Sequence, residues 1–509
     1  MKRWISIALF MVGITTTAGL RMAHAIQLDW SGQFWFDNHW LNNYQLDRSR
    51  PGYDNDPGFR NAGSPYVPGV GEKNVVWYSA FFRLKPKVIV NDSVDIRSEL
   101  HLGSPIYGFL GRSFPSSGNE PLIFTNSSRD NFVVGAQRYW ANLKTDFGTI
   151  ELGRAPIDWG LGGIWDAGDD LFDRYQSTGD MIRLTSKFGN FYIQPALVKV
   201  ATGNNVGGAT INGNTAQGHD DITDYDLAVK YDNSEDDFEF GMMWTKRTGN
   251  PSQKSIAFAR DAAGNPLGST RINYNLFDFY AKKKWKRFWI GGELPLFNGD
   301  LGAIDGQNEF QYKAFAVLFE GGYTSDVWDV DLKAGHVPGQ PPGSAGDNKF
   351  RAIYLNRNYD LGLIMFHYNL YGLSNNNPDT VAAANLNSPY DATIVNANYF
   401  SITPKAKLDK WTLKGTFAFA FADEVATANR RFYNHESRQF FDGIGNQSSF
   451  MGWEMDYGLG FQWDENVTFG WDFGFFFPGD YFAFTNLSNP ARFNTDFMFA
   501  SQVKVGITF

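Results

Sequence analysis

Asn494–Phe509 reads NTDFMFASQVKVGITF, and its pattern decides how the rest of the chain is read. Counting back from Phe509, alternate residues are Ile507, Val505, Val503, Ser501, Phe499 and Phe497. The intervening set is Thr508, Gly506, Lys504, Gln502, Ala500 and Met498. Side chains alternate across a strand, so one face is almost wholly apolar and the other small or polar.

The same alternation recurs upstream. In Trp453–Trp463 the residues Trp453, Met455, Tyr457, Leu459, Phe461 and Trp463 share a face opposite Glu454, Asp456, Gly458, Gly460 and Gln462. Val467–Phe477 repeats it with Val467, Phe469, Trp471, Phe473 and Phe475. Eight such pairs follow one another: Trp77–Val90 with Val94–Leu102, Val133–Thr145 with Thr149–Arg154, Met181–Phe188 with Phe191–Val200, and Ile222–Tyr231 with Phe238–Thr245. Then come Ile272–Trp285 with Phe288–Leu296, Gln311–Tyr323 with Val327–Gly335, Tyr399–Leu408 with Trp411–Phe421, and Trp453–Trp463 with Val467–Phe477. With an opening strand near Ile26–Trp40 and the closing strand, the count is eighteen.

Tight polar turns join the members of each pair, and long Gly/Asn/Asp/Pro-rich connections such as Asn43–Val76, Ser104–Asn131, Pro156–Asp180 and Thr202–Asp221 join the pairs. An even strand count with short turns at one end and long loops at the other is the layout of a transmembrane antiparallel β-barrel. The expectation is an all-β chain of about 18 strands (16–20), with short periplasmic turns and long extracellular loops. Closure removes the edges that so large a sheet would expose. Val337–Asn398 reads as one very long loop, although Phe350–Arg357 and Leu361–Tyr371 could add a hairpin and make twenty strands. A strand ending flush at an aromatic residue resembles the ending of bacterial outer-membrane barrels. That resemblance implies that Phe509 is an assembly signal read by the barrel-assembly machinery.

Composition agrees. The 509 residues are 17% aromatic, contain 53 glycines and no cysteine, and have a mean hydropathy of -0.34. Barrels hide hydrophobicity in alternation, so a mildly hydrophilic average is compatible with membrane insertion. Without cysteine there is no disulfide framework or thiolate site. A net charge of -9 disfavours nucleic acid as a partner. Lys2 and Arg3, an apolar run from Trp4 to Gly13, and Ala23-His24-Ala25 form a signal peptide over residues 1–25. The expected mature protein is one barrel domain over residues 26–509. Cleavage removes three cations and no acid, taking the charge from -9 to -12. These features imply the bacterial outer membrane, with its lipid and lipopolysaccharide as partners, and a monomer.

With the apolar face turned to lipid, the other face lines a lumen. Arg83, Lys85, Lys87, Arg138, Lys144, Arg183, Lys187, Lys405, Lys407 and Lys414 fall there, with Lys230, Lys282, Lys284 and Lys504. Most sit toward the short-turn end. Asp224, Asp226, Glu454 and Asp456 lie nearer the other mouth, while Asp95, Glu99, Asp329 and Asp331 are acidic and low. Such polarity draws anions, because focused fields raise the local concentration of counter-ions.

The stretch after Leu152-Gly-Arg154 is too apolar for a solvated loop: Ala155-Pro-Ile-Asp-Trp-Gly-Leu-Gly-Gly-Ile-Trp-Asp-Ala-Gly-Asp-Asp-Leu-Phe-Asp173. Glycines allow tight turns and tryptophans supply buried anchors. It is expected to fold inward as a constriction built from Arg154, Asp158, Trp159, Trp165, Asp166, Asp169 and Asp170. Asp166, Asp169, Asp170 and Asp173 are also a candidate calcium site, since hard cations take oxygen ligands, although the spacing is not that of an EF-hand. No cofactor motif is present. The histidines are scattered without a paired nucleophile, so the chain does not read as an enzyme.

The last sixty residues resemble the alginate-export family of large outer-membrane porins. The matching stretches are Gly452-Trp-Glu-Met-Asp456 and Phe477-Pro-Gly-Asp-Tyr481, with TIELGRAPIDWG at Thr149–Gly160. That resemblance implies an 18-stranded monomeric barrel conducting an anionic polysaccharide or smaller solutes. Two other readings follow from the residues: a transporter of hydrophobic compounds, from Phe473–Phe477 and Phe417–Phe421, or a structural or adhesive surface barrel.

Overall fold

The computed structural model describes residues 26–43, 46, 74–106, 110, 134–201, 222–249, 272–303, 309–343, 348–368, 370, 390, 392–435, 439–484 and 495–509. The expected signal peptide and most of the connections at Asn43–Val76, Ser104–Asn131 and Thr202–Asp221 lie outside them.

In chain order the strands are β1 (Gln27–Asn42), β2 (Asn74–Asn91), β3 (Val94–Leu102), β4 (Val134–Thr145), β5 (Gly148–Pro156), β6 (Thr178–Phe188), β7 (Phe191–Ala201) and β8 (Ile222–Asn233). They continue with β9 (Phe238–Gly249), β10 (Ile272–Trp285), β11 (Phe288–Ala303), β12 (Glu309–Phe315), β13 (Val317–Thr324), β14 (Trp328–Val337) and β15 (Lys349–Phe350). The last are β16 (Ala397–Leu408), β17 (Trp411–Ala422), β18 (Arg431–Asn434), β19 (Gln439–Asp442), β20 (Phe450–Gln462), β21 (Val467–Pro478) and β22 (Met498–Thr508).

Wall strands pair antiparallel with their chain neighbours, and β1 also pairs with β22 from Gln33↔Thr508 to Asn42↔Phe499, which closes the ring. β12 and β13 are two halves of one wall strand, both laddered to β11 and interrupted at Ala316. β15 is a two-residue addition beside β12 and β18–β19 form a separate two-stranded sheet, so the closed barrel has eighteen strands. Phe509 completes the seam: its N–H donates to Gly32 O at 3.1 Å, its own O accepts from Gly32 N–H at 2.9 Å, and its ring stacks on Phe82.

Turns of two to four residues make the short end. Gly189 (φ +59°), Lys286 (φ +50°) and Asp409 (φ +53°) each open one, the left-handed backbone that matches the twist of hairpin strands. The outer face carries exposed Trp30, Phe288, Trp411 and Trp471, which a lipid wall accommodates and water would not.

The inside of the barrel is filled from the long-loop end. Residues 157–177 and 350–368 fold inward and bond to each other: Asn356 N–H donates to Gly163 O at 2.7 Å, and Asn358 Nδ2 donates to Tyr175 O at 2.8 Å. Phe350, Ile353, Leu355, Ile364 and Met365 are buried there against Phe310, Leu318 and Ala418 of the wall. Each buried side chain of this size contributes about 1.5–3 kcal/mol, which is why the segment stays in the lumen. Among the described residues of Phe350–Arg357 and Leu361–Tyr371 no hairpin forms: Lys349–Phe350 alone is strand, parallel to β12, so the wall has eighteen strands and not twenty.

Candidate functional site

The first inward loop is gripped by the basic wall. Alternation turns Arg83 (β2) and Arg138 (β4) inward, and both are buried. Arg83 donates to Gly168 O at 2.8 Å, Arg138 to Asp169 Oδ1 at 3.0 Å and to Ala167 O, and Lys85 reaches Asp169 Oδ1 at 2.7 Å. Glu99 on β3 joins Arg138 at 3.2 Å and accepts from Gln176 Nε2 at 2.6 Å. Charge-assisted bonds to a backbone carbonyl or carboxylate are the strong ones. These arginines are therefore spent on positioning the loop, and open solute contact falls to other groups.

A second grip lies on the adjacent part of the wall, further along the β1–β2 ladder toward the long loops. Asp37 of β1, fully buried, accepts from Ser79 and from Arg174, and lies 3.3 Å from His39 Nε2. His39 Nδ1 meets Tyr368 Oη at 2.8 Å, and Tyr390 Oη accepts from Trp77 Nε1 at 2.7 Å. The Arg174 guanidinium sits 3.8 Å from the Tyr390 ring centroid, a cation–π contact. One network thus ties β1, β2 and both inward loops. Sequence reasoning missed Asp37, His39, Arg174, Tyr368 and Tyr390. The available signal was an inward-facing acid among aromatics on β1.

Two wall carboxylates cradle loop backbone in the same way. Glu293 on β11 accepts N–H bonds from Leu161 and Gly163, and Glu454 on β20 accepts from Ile364 at 2.7 Å and Met365 at 2.6 Å. Asp456 adds Leu363 N–H at 3.0 Å. Gly160 (φ +66°) and Gly362 make the approach possible. A Cβ on them would lie 2.4 Å from Glu293 Oε2 and 2.5 Å from Glu454 Oε1.

Below this plug lies a cavity of about 310 Å³ lined by Lys333, Lys405, Lys414, Lys504, Asp331 and Asp472 from the wall and by Asp360, Gly362 and His367 from the second loop. Lys405 Nζ lies 2.6 Å from Asp331, and Lys333 pairs with Glu320 at 3.2 Å. Asp472 sits between two ammonium groups, Lys414 Nζ and Lys504 Nζ, each at 2.8 Å. That trio carries one positive charge toward the cavity. Asp360 is engaged by His367 Nδ1 at 3.0 Å.

The remaining sequence candidates are dispersed. Lys87 stands opposite Asp29 and Arg97, Lys144 Nζ reaches Asp92 O at 3.3 Å, and Lys407 pairs with Asp329 at 2.6 Å, all near the short turns. Arg183 pairs with Glu151, and Lys187 lies 4.9 Å from the Tyr192 ring centroid. Trp159 Nε1 donates to Asp278 O at 3.2 Å and its ring meets Tyr280 edge-on over Gly241, where a Cβ would lie 2.8 Å from the indole. Trp165 packs on the same cluster, and its carbonyl accepts from Trp159 N–H. Asp158 accepts weakly from Ala167 N–H at 3.4 Å, and burial pushes its carboxyl up from the usual range.

Arg154 corrects an expectation. The strand runs on to Pro156, so Arg154 still obeys the period of two, and buried Ala155 beside it points inward. Arg154 therefore faces outward, paired with Asp180 through two bonds of 2.6 and 2.8 Å, and is no part of the constriction. The calcium expectation also fails to find a site. Asp169 is held by Lys85 and Arg138, Asp166 accepts from Gly168 N–H, and Asp173 accepts from Asp170 N–H. No group of three or more metal-type ligands occurs among the described residues. Burial, then the nearby Asp166, pushes the Asp173 carboxyl up to about 7.

No family model and no curated protein matches the chain, so the alginate-export resemblance gains no support. Solved structures that resemble it include OccK2 (OpdF) of Pseudomonas aeruginosa in complex with glucuronate, with 11% identity and a TM-score of 0.46 over 94% of this chain and 98% of that one. OpdK of Pseudomonas aeruginosa with vanillate gives 12% and 0.47 over 94% and 98%. OmpT, an outer membrane protein of Vibrio cholerae, gives 9% and 0.35 over 97% and 100%. The barrel itself rests on this chain's own ladders.

Proposed function

We propose that the protein is a passive channel of the bacterial outer membrane for small hydrophilic solutes, with a preference for anions. The observation that carries the reading is Asp472 shared by Lys414 and Lys504 at the edge of a 310 Å³ cavity. Each ammonium has three donors. One is spent on Asp472, which leaves donors for a carboxylate or phosphate that enters from the short-turn, periplasmic side. The two inward loops favour small cargo over a polysaccharide, because they place buried apolar side chains and carboxylate-held backbone across the path of a chain. The exterior supports a membrane setting, since exposed aromatic residues cover the wall.

Liposome swelling tests the reading. Proteoliposomes should swell in monosaccharide-sized solutes, faster for a sugar acid than for the neutral sugar of equal size. Swelling that is no faster than in protein-free vesicles would reject a channel and favour a structural barrel.

A further inference from the structure

The outer face is not uniform around its long-loop end. Across β8–β12 the ladders set Tyr225, Lys246, Asn275, Asn298 and Lys313 side by side. The next outward row toward the short turns is Leu227, Trp244, Phe277, Leu296 and Phe315. Their strand neighbours Asp224, Thr245, Leu276 and Tyr312 are buried, so both rows point away from the lumen. Five strands at about 4.8 Å spacing make a front of roughly 19 Å. Along it the surface changes from apolar to polar within one row. Trp244 Nε1 donates to Asn275 Oδ1 at 3.1 Å and ties the two rows. Tryptophan in that position marks a membrane–water border.

Cations continue the polar front. Lys199 stands opposite Thr223, next to the Tyr225 row, and Lys349 opposite Gln311. Neither row contains a carboxylate; the row beyond them carries Asp180, opposite Lys199 and paired with Arg154, and Asp300, opposite Gln311. The lumenal lysines Lys405, Lys407, Lys414 and Lys504 each hold a carboxylate within 2.8 Å. Lys246 and Lys313, by contrast, have no ion-pair partner among the described residues. The opposite sector of the same rim is aromatic: Phe421 stands against Phe450, and Trp40 meets Phe499 edge-on.

Unpaired ammonium groups with amides between them, above an apolar ledge capped by tryptophan, complement an anionic head on acyl chains. We propose that the β8–β12 sector binds a phosphate-bearing lipid headgroup of the surrounding leaflet. Lys246 and Lys313 take the phosphates, Asn275 and Asn298 donate between them, and the acyl chains lie along the Leu227–Phe315 row. An acidic protein would match the lysines but would leave the ledge beneath them unused. The inference goes beyond conduction and rests on the barrel standing in a membrane.

The test measures binding of fluorescent lipid A to the detergent-solubilised full chain, with phosphatidylcholine as the comparison lipid. The wild type should prefer lipid A. Lys246→Gln with Lys313→Gln should weaken that binding on the order of 25-fold, at roughly fivefold for each lysine beside an anionic headgroup. Lys286→Gln, in a turn at the short end, should leave it unchanged. Heat-modifiable migration on a gel and bilayer conductance of each variant report folding and channel activity independently of lipid binding. Equal binding of the two lipids, or full binding by the double variant, would overturn the proposal. Inorganic phosphate that displaces lipid A at matching phosphate concentration would also overturn it, by showing a site for the free ion.

Discussion

Glu454 Oε1 accepts the backbone N–H of Ile364 at 2.7 Å, although the two residues are 90 positions apart in the chain. The bond is the counterpart of Glu293 with Leu161 across the lumen. In both places a wall carboxylate, which strand alternation turns inward, replaces the water that the peptide N–H groups of a loop would need. Each inward loop thus hangs in part on a wall carboxylate, the first also on Arg83, Arg138 and the Arg174–Asp37 pair.

Removing one hook should loosen one loop. Glu293→Gln keeps the shape and loses the charge, which costs about 1.5–3 kcal/mol for a charge-assisted bond. The expected result is a noisier single-channel trace with larger mean conductance, and a lower unfolding temperature in detergent. An unaltered trace would show that residues 157–177 do not limit flow.

Glycine at 160 is required by two separate constraints, the left-handed φ and the carboxylate 2.4 Å from a would-be Cβ. Gly160→Val should therefore displace the loop and mimic Glu293→Gln in conductance. Gly189→Ala, with nothing within 4 Å, is the matched control for backbone strain alone.

Arg174 and Asp37 form a buried pair that joins the first loop to β1. Breaking one side of a buried pair costs about 3–5 kcal/mol, because the other charge is left stranded. Arg174→Met should expose residues 157–177 to protease in the intact barrel, and Arg174→Met with Asp37→Leu should restore much of the resistance. Equal digestion of all three proteins would contradict the role given to the pair.

How much of this was legible beforehand follows from what each feature depends on. A lipid wall imposes a period of two over long runs, so the strands around Trp453 and Val467 announce themselves. The Gly/Trp content of Ala155–Asp173 shows that it avoids water, because tryptophan in a loop needs somewhere to bury. A strand end read at Arg154 places that side chain in the loop, whereas the strand runs on to Pro156 and leaves Arg154 on the outward face with Leu152. Asp37, His39, Arg174 and Tyr390 meet only after the barrel closes and both loops enter it. No local pattern carries that.

Proton binding should bias the first loop. The Asp173 carboxyl, raised to about 7 by burial and by Asp166, binds its proton more tightly docked than in an unfolded chain, where its ordinary value is 3.8. Its stabilisation of the docked loop is full below about 3.8 and is lost as pH rises through about 7. Conductance should then rise between pH 6 and 8 (approximate bounds around that value). Asp173→Asn should flatten the curve; a wild-type profile in the variant would assign the dependence elsewhere.

The claim that Lys414, Lys504 and the Asp472 between them present net positive charge to the solute path is tested most directly by reversal potential. Purified protein in a planar bilayer across a potassium chloride gradient should reverse on the chloride side. Lys414→Gln with Lys504→Gln should move the potential toward potassium. A wild-type channel that prefers potassium, or a bilayer that never conducts, would contradict the account.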